Sequence, residues 1–246
     1  MHKLGLLGKN ISYSFSRTYF KSKFEKEGIL DVSYENFDIE DISLFPSIIE
    51  NTYGLKGLNV TIPYKQVVMP YLDDIDEKAK TIGAVNTIKV KKDGKLIGYN
   101  TDCYGFEKSI KPYLTPRHKK ALILGTGGAS KAISYVLQEL NIEYHYVSRT
   151  ASEHSHFTYN DLNETIIKEF DIVINCTPLG TFPNIDNCPN IPYQAITDKH
   201  ILYDLIYNPL ETKFLKLGKE HSATIINGLK MLELQAEKAW SIWNLE

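Results

Sequence analysis

The feature of this sequence that most constrains its fold is a glycine-rich segment, GTGGASKA, at residues 125–132. An apolar run at residues 121–124 precedes it and a helical pattern follows it, so the glycines join a strand to a helix. Gly125 and Gly127 allow a sharp turn and the close approach of a pyrophosphate, and the amides of a helix N-terminus attract an anion. The segment predicts a dinucleotide-binding turn, with an ordinary strand-to-helix turn as the alternative.

The second half of the chain repeats this alternation of strands and helices. Further strand patterns lie at residues 143–147, 171–175, 201–205 and 223–226. Such alternation predicts an α/β fold with a doubly wound parallel sheet, the Rossmann arrangement.

The residues at the end of the second strand in this half indicate which dinucleotide is bound. It leads into Ser148, Arg149 and Thr150, where an NAD-specific protein would usually place an acidic residue. Because a guanidinium can accept a 2′-phosphate, Arg149 favours NADP over NAD. Glu153 follows where a stronger phosphate site would offer a second arginine, so NAD stays open as the alternative.

The first hundred residues predict a separate, mixed α/β sheet. Strand patterns lie at residues 4–7, 34–39, 58–62, 85–90 and 96–100, and helical patterns at residues 15–27 and 73–82. Asp93 and Gly94, between the last two strands, suit the positive backbone angles of a tight hairpin.

These patterns divide the chain into two predicted domains, at residues 1–101 and 102–227. A C-terminal helix at residues 228–246 is expected to complete the first domain. Its apolar stripe consists of Leu232, Ala236, Ala239 and Trp243.

Composition narrows the possible partners. The formal net charge is -2 and the pI is near 6.4, so there is no broad basic field for nucleic acid or a membrane surface. Three cysteines without a Cys-x-x-Cys pair predict free thiols and, with no secretory or membrane-spanning segment, a cytoplasmic protein. The seven histidines, including His154 and His156, have no ligand-like spacing, so we interpret them as surface residues and predict no metal site.

Two polar stretches upstream of the glycine segment each end in a charged residue. LNVTIPYK ends at Lys65 and GYNTD ends at Asp102, and a lysine and an aspartate can form a proton-handling pair. Taken alone, Lys65 is more often a solvated lysine at a strand end, and Asp102 is more often the N-cap of a helix at residues 103–110.

The order of motifs along the chain resembles the shikimate dehydrogenase family over nearly the whole length. The matching segments are GKNISYSFS from Gly8, NVTIPYK from Asn59, IGAVNT from Ile82, GYNTD, GTGGASKA, SRT, NCTPLGT from Asn175, YDLIYNP from Tyr203 and NGLKMLELQA from Asn227. The resemblance implies a substrate and catalytic domain followed by an NADP-binding domain. It also implies the reversible, NADP-dependent reduction of 3-dehydroshikimate to shikimate in aromatic amino acid biosynthesis.

The resemblance also assigns roles to individual residues. Lys65 is the expected acid or base, and Asp102 is expected to hold the same hydroxyl and orient the lysine. The expected substrate-binding residues are Ser14, Ser16, Asn59, Thr61, Lys65, Asn86, Asp102, Tyr207 and Gln235. The expected cofactor-binding residues are Gly125, Thr126, Gly127, Gly128, Ala129, Ser148, Arg149, Thr150, Leu205, Gly228 and Met231.

The sequence departs from the family pattern at three places. Tyr13 stands where histidine is common and Arg17 where proline is common, and both flank the expected carboxylate site. The segment at residues 154–160 shows little helical periodicity, which predicts a shortened crossover on the adenosine side of the cofactor pocket.

Two alternative functions stay open. One is the oxidation of quinate, alone or together with shikimate, and the other is a non-catalytic dinucleotide-binding sensor on the same fold. We expect a small-molecule substrate and either a monomer or a homodimer.

Overall fold

The computed structural model describes residues 1–12, 14–151, 153 and 155–244. Tyr13 and His154, both named above, lie outside the described residues, as do the last two residues of the helix predicted at 228–246. The chain divides into two compact units. The first unit comprises Met1–Thr101 with Gln235–Glu246, and the second comprises Asp102–Leu234.

The first unit contains a mixed six-stranded sheet in the order β2-β1-β3-β5-β6-β4. Its strands are β1 (His2–Gly8), β2 (Val32–Asp38), β3 (Leu55–Val60), β4 (Asp74–Ile75), β5 (Thr87–Val90) and β6 (Leu96–Tyr99). β1 pairs in parallel with β2 and β3, whereas β5 runs antiparallel to β3 and β6. The predicted mixed sheet is confirmed. Gly94 lies in the tight turn between β5 and β6 at a φ of 85°, whereas Asp93 does not adopt the positive φ expected for it.

Three α-helices of the first unit lie before the long C-terminal helix. They are α1 (Phe15–Glu27), α2 (Phe45–Asn51) and α3 (Glu77–Ile82). The helix predicted at residues 73–82 is wrong at its start, because Asp74 and Ile75 pair with β6. Asp76 caps the shorter helix by accepting a hydrogen bond from the backbone N–H of Lys78 at 3.1 Å.

Alternate residues of β1 face two different cores, as the period of a strand requires. Leu7 packs with Leu58 and Ile88 on one face. Leu4 and Leu6 lie in a second cluster with Phe20, Ala236, Ala239 and Trp243. Three of the four residues of the predicted apolar stripe of the C-terminal helix are therefore buried in the first unit.

The second unit contains six strands that all pair in parallel, in the order β9-β8-β7-β10-β11-β12. They are β7 (Lys120–Leu124), β8 (Glu143–Ser148), β9 (Phe157–Thr158), β10 (Ile172–Asn175), β11 (Ile201–Asp204) and β12 (Thr224–Ile226). The order reverses between β7 and β10, which is where doubly wound folds bind their ligands. The predicted Rossmann arrangement is confirmed.

The remaining helices are α4 (Asp102–Ile110), α5 (Gly128–Glu139), α6 (Glu164–Ile167), α7 (Lys213–Glu220) and α8 (Leu229–Asn244). Between β8 and β9 the described residues form no helix, in agreement with the shortened crossover expected there. The division between the units falls inside α8, after Leu234 rather than at residue 227. The first turn of α8 is tied to the second unit because Gly228 donates its N–H to the carbonyl of Ile206 at 2.9 Å.

Two histidines correct the interpretation of all seven as surface residues. His118 and His200 are buried, and each accepts at Nδ1 the backbone N–H of a threonine three residues earlier. The distances are 2.9 Å from Thr115 and 3.0 Å from Thr197. Burial lowers the pKa of both rings, which keeps them neutral as acceptors.

Two further properties concern the described part of the chain. None of its helices is both long and apolar enough to cross a membrane. Its His, Cys, Asp and Glu side chains form no group of three or more that could hold a metal ion.

Candidate active site

A buried amide network lies in the first unit where β3 ends and β5 begins. Asn59 faces Thr87 across the antiparallel pair, and its Nδ2 donates to Thr87 Oγ1 at 3.2 Å. Tyr34 donates its hydroxyl to Asn59 Oδ1 at 2.8 Å. Both polar groups of the Asn59 amide are thus engaged in a site that leaves the residue only 4% exposed.

Asn86 extends this network towards the end of β6. Its Oδ1 accepts the backbone N–H of Thr101 at 2.7 Å, and its Nδ2 donates to Thr101 Oγ1 at 3.1 Å. Thr101 in turn donates to Gln235 Oε1 at 3.3 Å. Three residues expected to bind substrate, Asn59, Asn86 and Gln235, therefore belong to one hydrogen-bonded network of the first unit.

Three members of this network were not predicted from the sequence. Thr87 and Thr101 belong to the IGAVNT and GYNTD motifs, where they adjoin the predicted residues Asn86 and Asp102, and this position was the available signal. Tyr34 lies in β2 with no motif around it. Burial raises the pKa of the Tyr34 phenol, and a hydrogen bond with the Ser16 side chain partly offsets this. Ser16 therefore lies beside Tyr34.

The other residues expected near the substrate carboxylate lie at the start of α1 and after β3. Ser14 is the N-cap of α1, since its Oγ accepts the backbone N–H of Arg17 at 3.4 Å. Arg17 itself is exposed in the first turn. Thr61 is half-buried and donates its N–H to the carbonyl of Leu7 at 2.9 Å. Gly8 leaves room for the Thr61 side chain, because a Cβ at Gly8 would lie 2.6 Å from Thr61 Cγ2.

Lys65 lies in a turn that follows β3 and is half-buried. The turn is held at both ends by backbone hydrogen bonds. Tyr64 donates its N–H to Thr61 at 2.9 Å, and the carbonyl of Lys65 accepts the N–H of Val85 at 2.7 Å. The backbone that carries the lysine is therefore fixed to the same segment as Asn86.

Asp102 and Tyr207 belong to the second unit. Asp102 is the buried first residue of α4, so the helix begins at the aspartate itself and not at residue 103. Tyr207 is half-buried after β11, and burial raises the pKa of its phenol.

The glycine loop joins β7 to α5 at the reversal point of the parallel sheet. Gly125 has a φ of 102°, which only glycine adopts readily, and a Cβ there would lie 3.0 Å from Thr177 Cγ2 in the loop after β10. Gly127 differs, because its φ of -76° suits any residue and a Cβ would meet no atom within 4 Å. The fold demands glycine at position 125 but not at position 127, so the space in front of Gly127 is available to a ligand.

The neighbouring expected cofactor residues surround this loop. Thr126 is exposed, and Gly128 and Ala129 are half-buried in the first turn of α5, where free backbone amides favour an anion. At the end of β8, Ser148 donates its hydroxyl to the carbonyl of Thr150, and Arg149 and Thr150 are exposed. Burial raises the pKa of Tyr159 to about 12, and the positive charge of Arg149 partly offsets this rise.

The last group of expected cofactor residues lies between β11 and α8. Gly228 packs so closely that a Cβ would lie 2.0 Å from the carbonyl oxygen of Leu205. Met231 is buried in the first turn of α8. The structure therefore brings Leu205 and Gly228 together within the second unit.

A buried carboxylate, Asp204, holds the loops on this side, and it was not predicted from the sequence. Its Oδ1 accepts hydrogen bonds from Asn175 Nδ2 and from the N–H of Ile206, both at 3.0 Å, and its Oδ2 accepts one from Thr212 Oγ1 at 2.5 Å. Burial raises the pKa of Asp204 to about 6. Its signal was its place in the YDLIYNP motif, beside Leu205.

Fold and site together define a two-unit α/β protein with a Rossmann-type dinucleotide-binding unit and a separate unit that carries a buried amide network. A family model described as the shikimate dehydrogenase substrate binding domain matches residues 6–88. The shikimate dehydrogenase (NADP(+)) of Clostridium beijerinckii is 41% identical, across 99% of this chain and 92% of its own length.

Solved structures agree with this similarity. The crystal structure of shikimate dehydrogenase 1 from Peptoclostridium difficile has a TM-score of 0.84 and 39% identity, and the match covers 99% of this chain and 91% of that one. The shikimate 5-dehydrogenase of Thermus thermophilus in complex with NADP(H) and shikimate has a TM-score of 0.87 and 29% identity, covering 99% of this chain and 94% of that one. The chain belongs to the shikimate dehydrogenase family.

Proposed function

We propose that this protein catalyses the reversible, NADP-dependent reduction of 3-dehydroshikimate to shikimate in aromatic amino acid biosynthesis. The observation that carries the proposal is the match to shikimate dehydrogenases along the whole chain, at about 40% identity. The first unit is the substrate and catalytic domain, completed by the end of α8, and the second unit binds NADP.

The amide network of the first unit supports the choice of substrate. Shikimate carries three hydroxyls, which neutral amide and hydroxyl groups can bind without an unpaired charge. Asn59, Asn86 and Gln235 supply such groups from a buried and ordered network, and Thr61 adds a hydroxyl. Ser14, Ser16 and Tyr207 are assigned to the substrate carboxylate.

The glycine loop fits the pyrophosphate of a dinucleotide. Gly127 leaves open space above the N-terminus of α5, and Arg149 at the end of β8 is exposed and able to pair with a 2′-phosphate. Leu205, Gly228 and Met231 are assigned to the nicotinamide side. When bound, the nicotinamide supplies the hydride in the reduction and accepts it in the oxidation.

Proton transfer is assigned to Lys65 and Asp102. In the reduction, the Lys65 ammonium donates a proton to the oxygen that becomes the hydroxyl, and in the oxidation the lysine accepts it back. Asp102 accepts a hydrogen bond from the same hydroxyl and orients the lysine. A positioned acid or base of this kind contributes about 10²–10⁴-fold to the rate.

The decisive experiment is a comparison of kcat/KM for shikimate and quinate, each with NADP and NAD, followed as absorbance of the reduced nicotinamide. We expect the highest value for shikimate with NADP. Faster oxidation of quinate would overturn the choice of substrate, and binding of NADP without turnover of any of these alcohols would favour a sensor.

A variant tests the proposed acid and base. Lys65→Ala should lower kcat by about 10²–10⁴-fold and change the KM for shikimate much less. Lys78→Ala, at an exposed lysine of α3, is the matched control and should keep full activity. A Lys65→Ala enzyme with near-normal kcat would refute the role of the lysine.

The place and assembly of the protein are also proposals. The free thiols of Cys176 and Cys188 support a reducing compartment, and we assign the protein to the cytoplasm. We expect a monomer or a homodimer, which light scattering coupled to size-exclusion chromatography will decide.

A further inference from the structure

A cavity of about 510 Å³ lies in the first unit, outside the residues assigned to the reaction. We call it the lysine–tryptophan cavity, after the residues of its lining that matter here: Lys56, Lys89, Lys91, Lys92, Trp240 and Trp243. Lys56 precedes Asn59 along β3, and a strand rises about 3.3 Å per residue. The cavity therefore opens roughly 10 Å along the sheet from the amide network, towards the opposite end of the strands.

The aromatic wall of this cavity is held in place by its surroundings. Trp243 donates its indole N–H to the carbonyl of Ile88 at 3.0 Å and is only 8% exposed. The Trp243 ring can lie here only because residue 57 is a glycine, since a Cβ at Gly57 would lie 2.2 Å from Trp243 Nε1. Trp240 packs against Phe24 with ring centroids 5.4 Å apart. Two ordered indoles thus present apolar surface to the cavity.

The lining is rich in lysine. Among the described residues, four lysines line the cavity, against one acidic residue, Asp93. The Asp93 carboxylate already lies 3.6 Å from Lys95 Nζ and accepts the backbone N–H of Lys95 at 3.2 Å. Burial and the neighbouring charge of Lys91 lower the pKa of Lys89, as expected where positive charges crowd together.

We propose that the lysine–tryptophan cavity binds a small aromatic carboxylate, with its ring against the two indoles and its carboxylate towards the lysines. A volume of about 510 Å³ suits a small molecule, and cavities of this kind usually combine apolar walls with a few polar groups. The rings provide stacking surface, and the ammonium groups form charge-assisted hydrogen bonds. The assignment does not depend on the proposed reaction.

The chain contains a direct reporter for this site. Both of its tryptophans line the cavity, so intrinsic tryptophan fluorescence responds to an occupant there. The probe is phenylacetate, and phenylacetamide is the neutral control of the same shape. Saturating shikimate is included so that it occupies the proposed active site and phenylacetate cannot bind there through its carboxylate.

We expect a saturable change of fluorescence with phenylacetate and an apparent Kd at least about tenfold higher for phenylacetamide. The double variant Lys56→Gln/Lys89→Gln should raise the Kd for phenylacetate by about tenfold or more. Lys95→Gln, which removes a lysine of the same hairpin outside the lining, should leave it within about twofold. Circular dichroism verifies that each variant is folded.

Three results would overturn the proposal. They are the absence of a saturable response to phenylacetate up to about 20 mM, equal affinity for the acid and the amide, and unchanged affinity in the folded double variant. The first two concern the unaltered protein, so the test does not depend on any variant folding.

Discussion

Asn175 donates its side-chain amide to the Asp204 carboxylate at 3.0 Å, and this bond joins the carboxyl ends of two neighbouring parallel strands. The two residues are directly paired in the register of β10 and β11. Asp204 also accepts hydrogen bonds from Ile206 and Thr212, so one buried carboxylate orders the loop that begins with Leu205. That loop carries residues assigned to both cofactor and substrate.

The raised pKa of Asp204 predicts a specific pH dependence of stability. A carboxyl whose folded pKa is about 6, against an ordinary value of 3.8, contributes stability below pH 3.8 that is lost as the pH rises through about 6. Asp204→Asn removes this titration but keeps an acceptor for Asn175. Between pH 4 and pH 7, wild-type protein should lose about 2 kcal/mol of unfolding free energy relative to the variant. Urea unfolding at each pH measures this, and a constant difference would contradict it.

The open space at Gly127 predicts that a side chain at this position weakens cofactor binding without a large change in stability. Gly127→Ala should change the free energy of unfolding by less than about 1 kcal/mol, because alanine restricts the unfolded chain but is a poorer N-cap of α5 than glycine. The KM for NADP should rise about tenfold or more, because the methyl group occupies the space assigned to the pyrophosphate.

Gly228→Ala is the contrasting control for that variant. Its Cβ would lie 2.0 Å from the carbonyl oxygen of Leu205, so the backbone must move and the thermal midpoint should fall. If Gly127→Ala destabilises the protein as Gly228→Ala does, or keeps a normal KM for NADP, the assignment of the loop fails.

The hydrogen bond from Tyr34 to Asn59 predicts a role in substrate binding. Tyr34→Phe leaves Asn59 Oδ1 without this donor and should cost about 1–2 kcal/mol of stability. The KM for shikimate should rise while kcat stays near normal, because the amide loses its orientation but the proton donor does not change. Steady-state kinetics and urea unfolding provide the two readouts.

Tyr193→Phe is the matched control for this prediction. Tyr193 donates its hydroxyl to the carbonyl of Pro189 at 2.8 Å in the second unit, so a similar loss of stability is expected there. The KM for shikimate should not change in that variant. Equal effects of both substitutions on KM would show that Tyr34 acts through stability alone.

The exposed Arg149 predicts control of cofactor preference. Arg149→Asp replaces the group assigned to the 2′-phosphate with an acidic residue suited to a ribose hydroxyl. The ratio of kcat/KM with NADP to that with NAD should fall by about tenfold or more. Arg117→Asp changes the same charge at another exposed arginine of the second unit and should leave the ratio unchanged. An unaltered ratio in Arg149→Asp would show that the arginine does not bind the 2′-phosphate.

Local patterns in the sequence were sufficient for most of the architecture. Strand and helix periods depend on neighbouring residues, so the alternation of the second half predicted all but one strand of the parallel sheet, β9 being the exception. Glycine at positions 94 and 125 predicted turns because the required backbone angles exclude most other residues. The stripe on α8 likewise followed from a period of 3.6 residues.

Tertiary structure decided the features that depend on residues distant in the sequence. α3 starts late because Asp74 and Ile75 find pairing partners in β6, and α2 is too short for a periodic signal. Thr101 and Gln235 are hydrogen-bonded although 134 positions apart. A buried polar group is stable only with a partner, and a pattern of neighbouring residues cannot specify which distant group supplies it. For this reason the sequence alone was sufficient to predict the two sheets and the nucleotide-binding turn. The positions of Tyr34, Asp204 and the buried histidines depend on contacts between distant residues, so only the tertiary structure decided them.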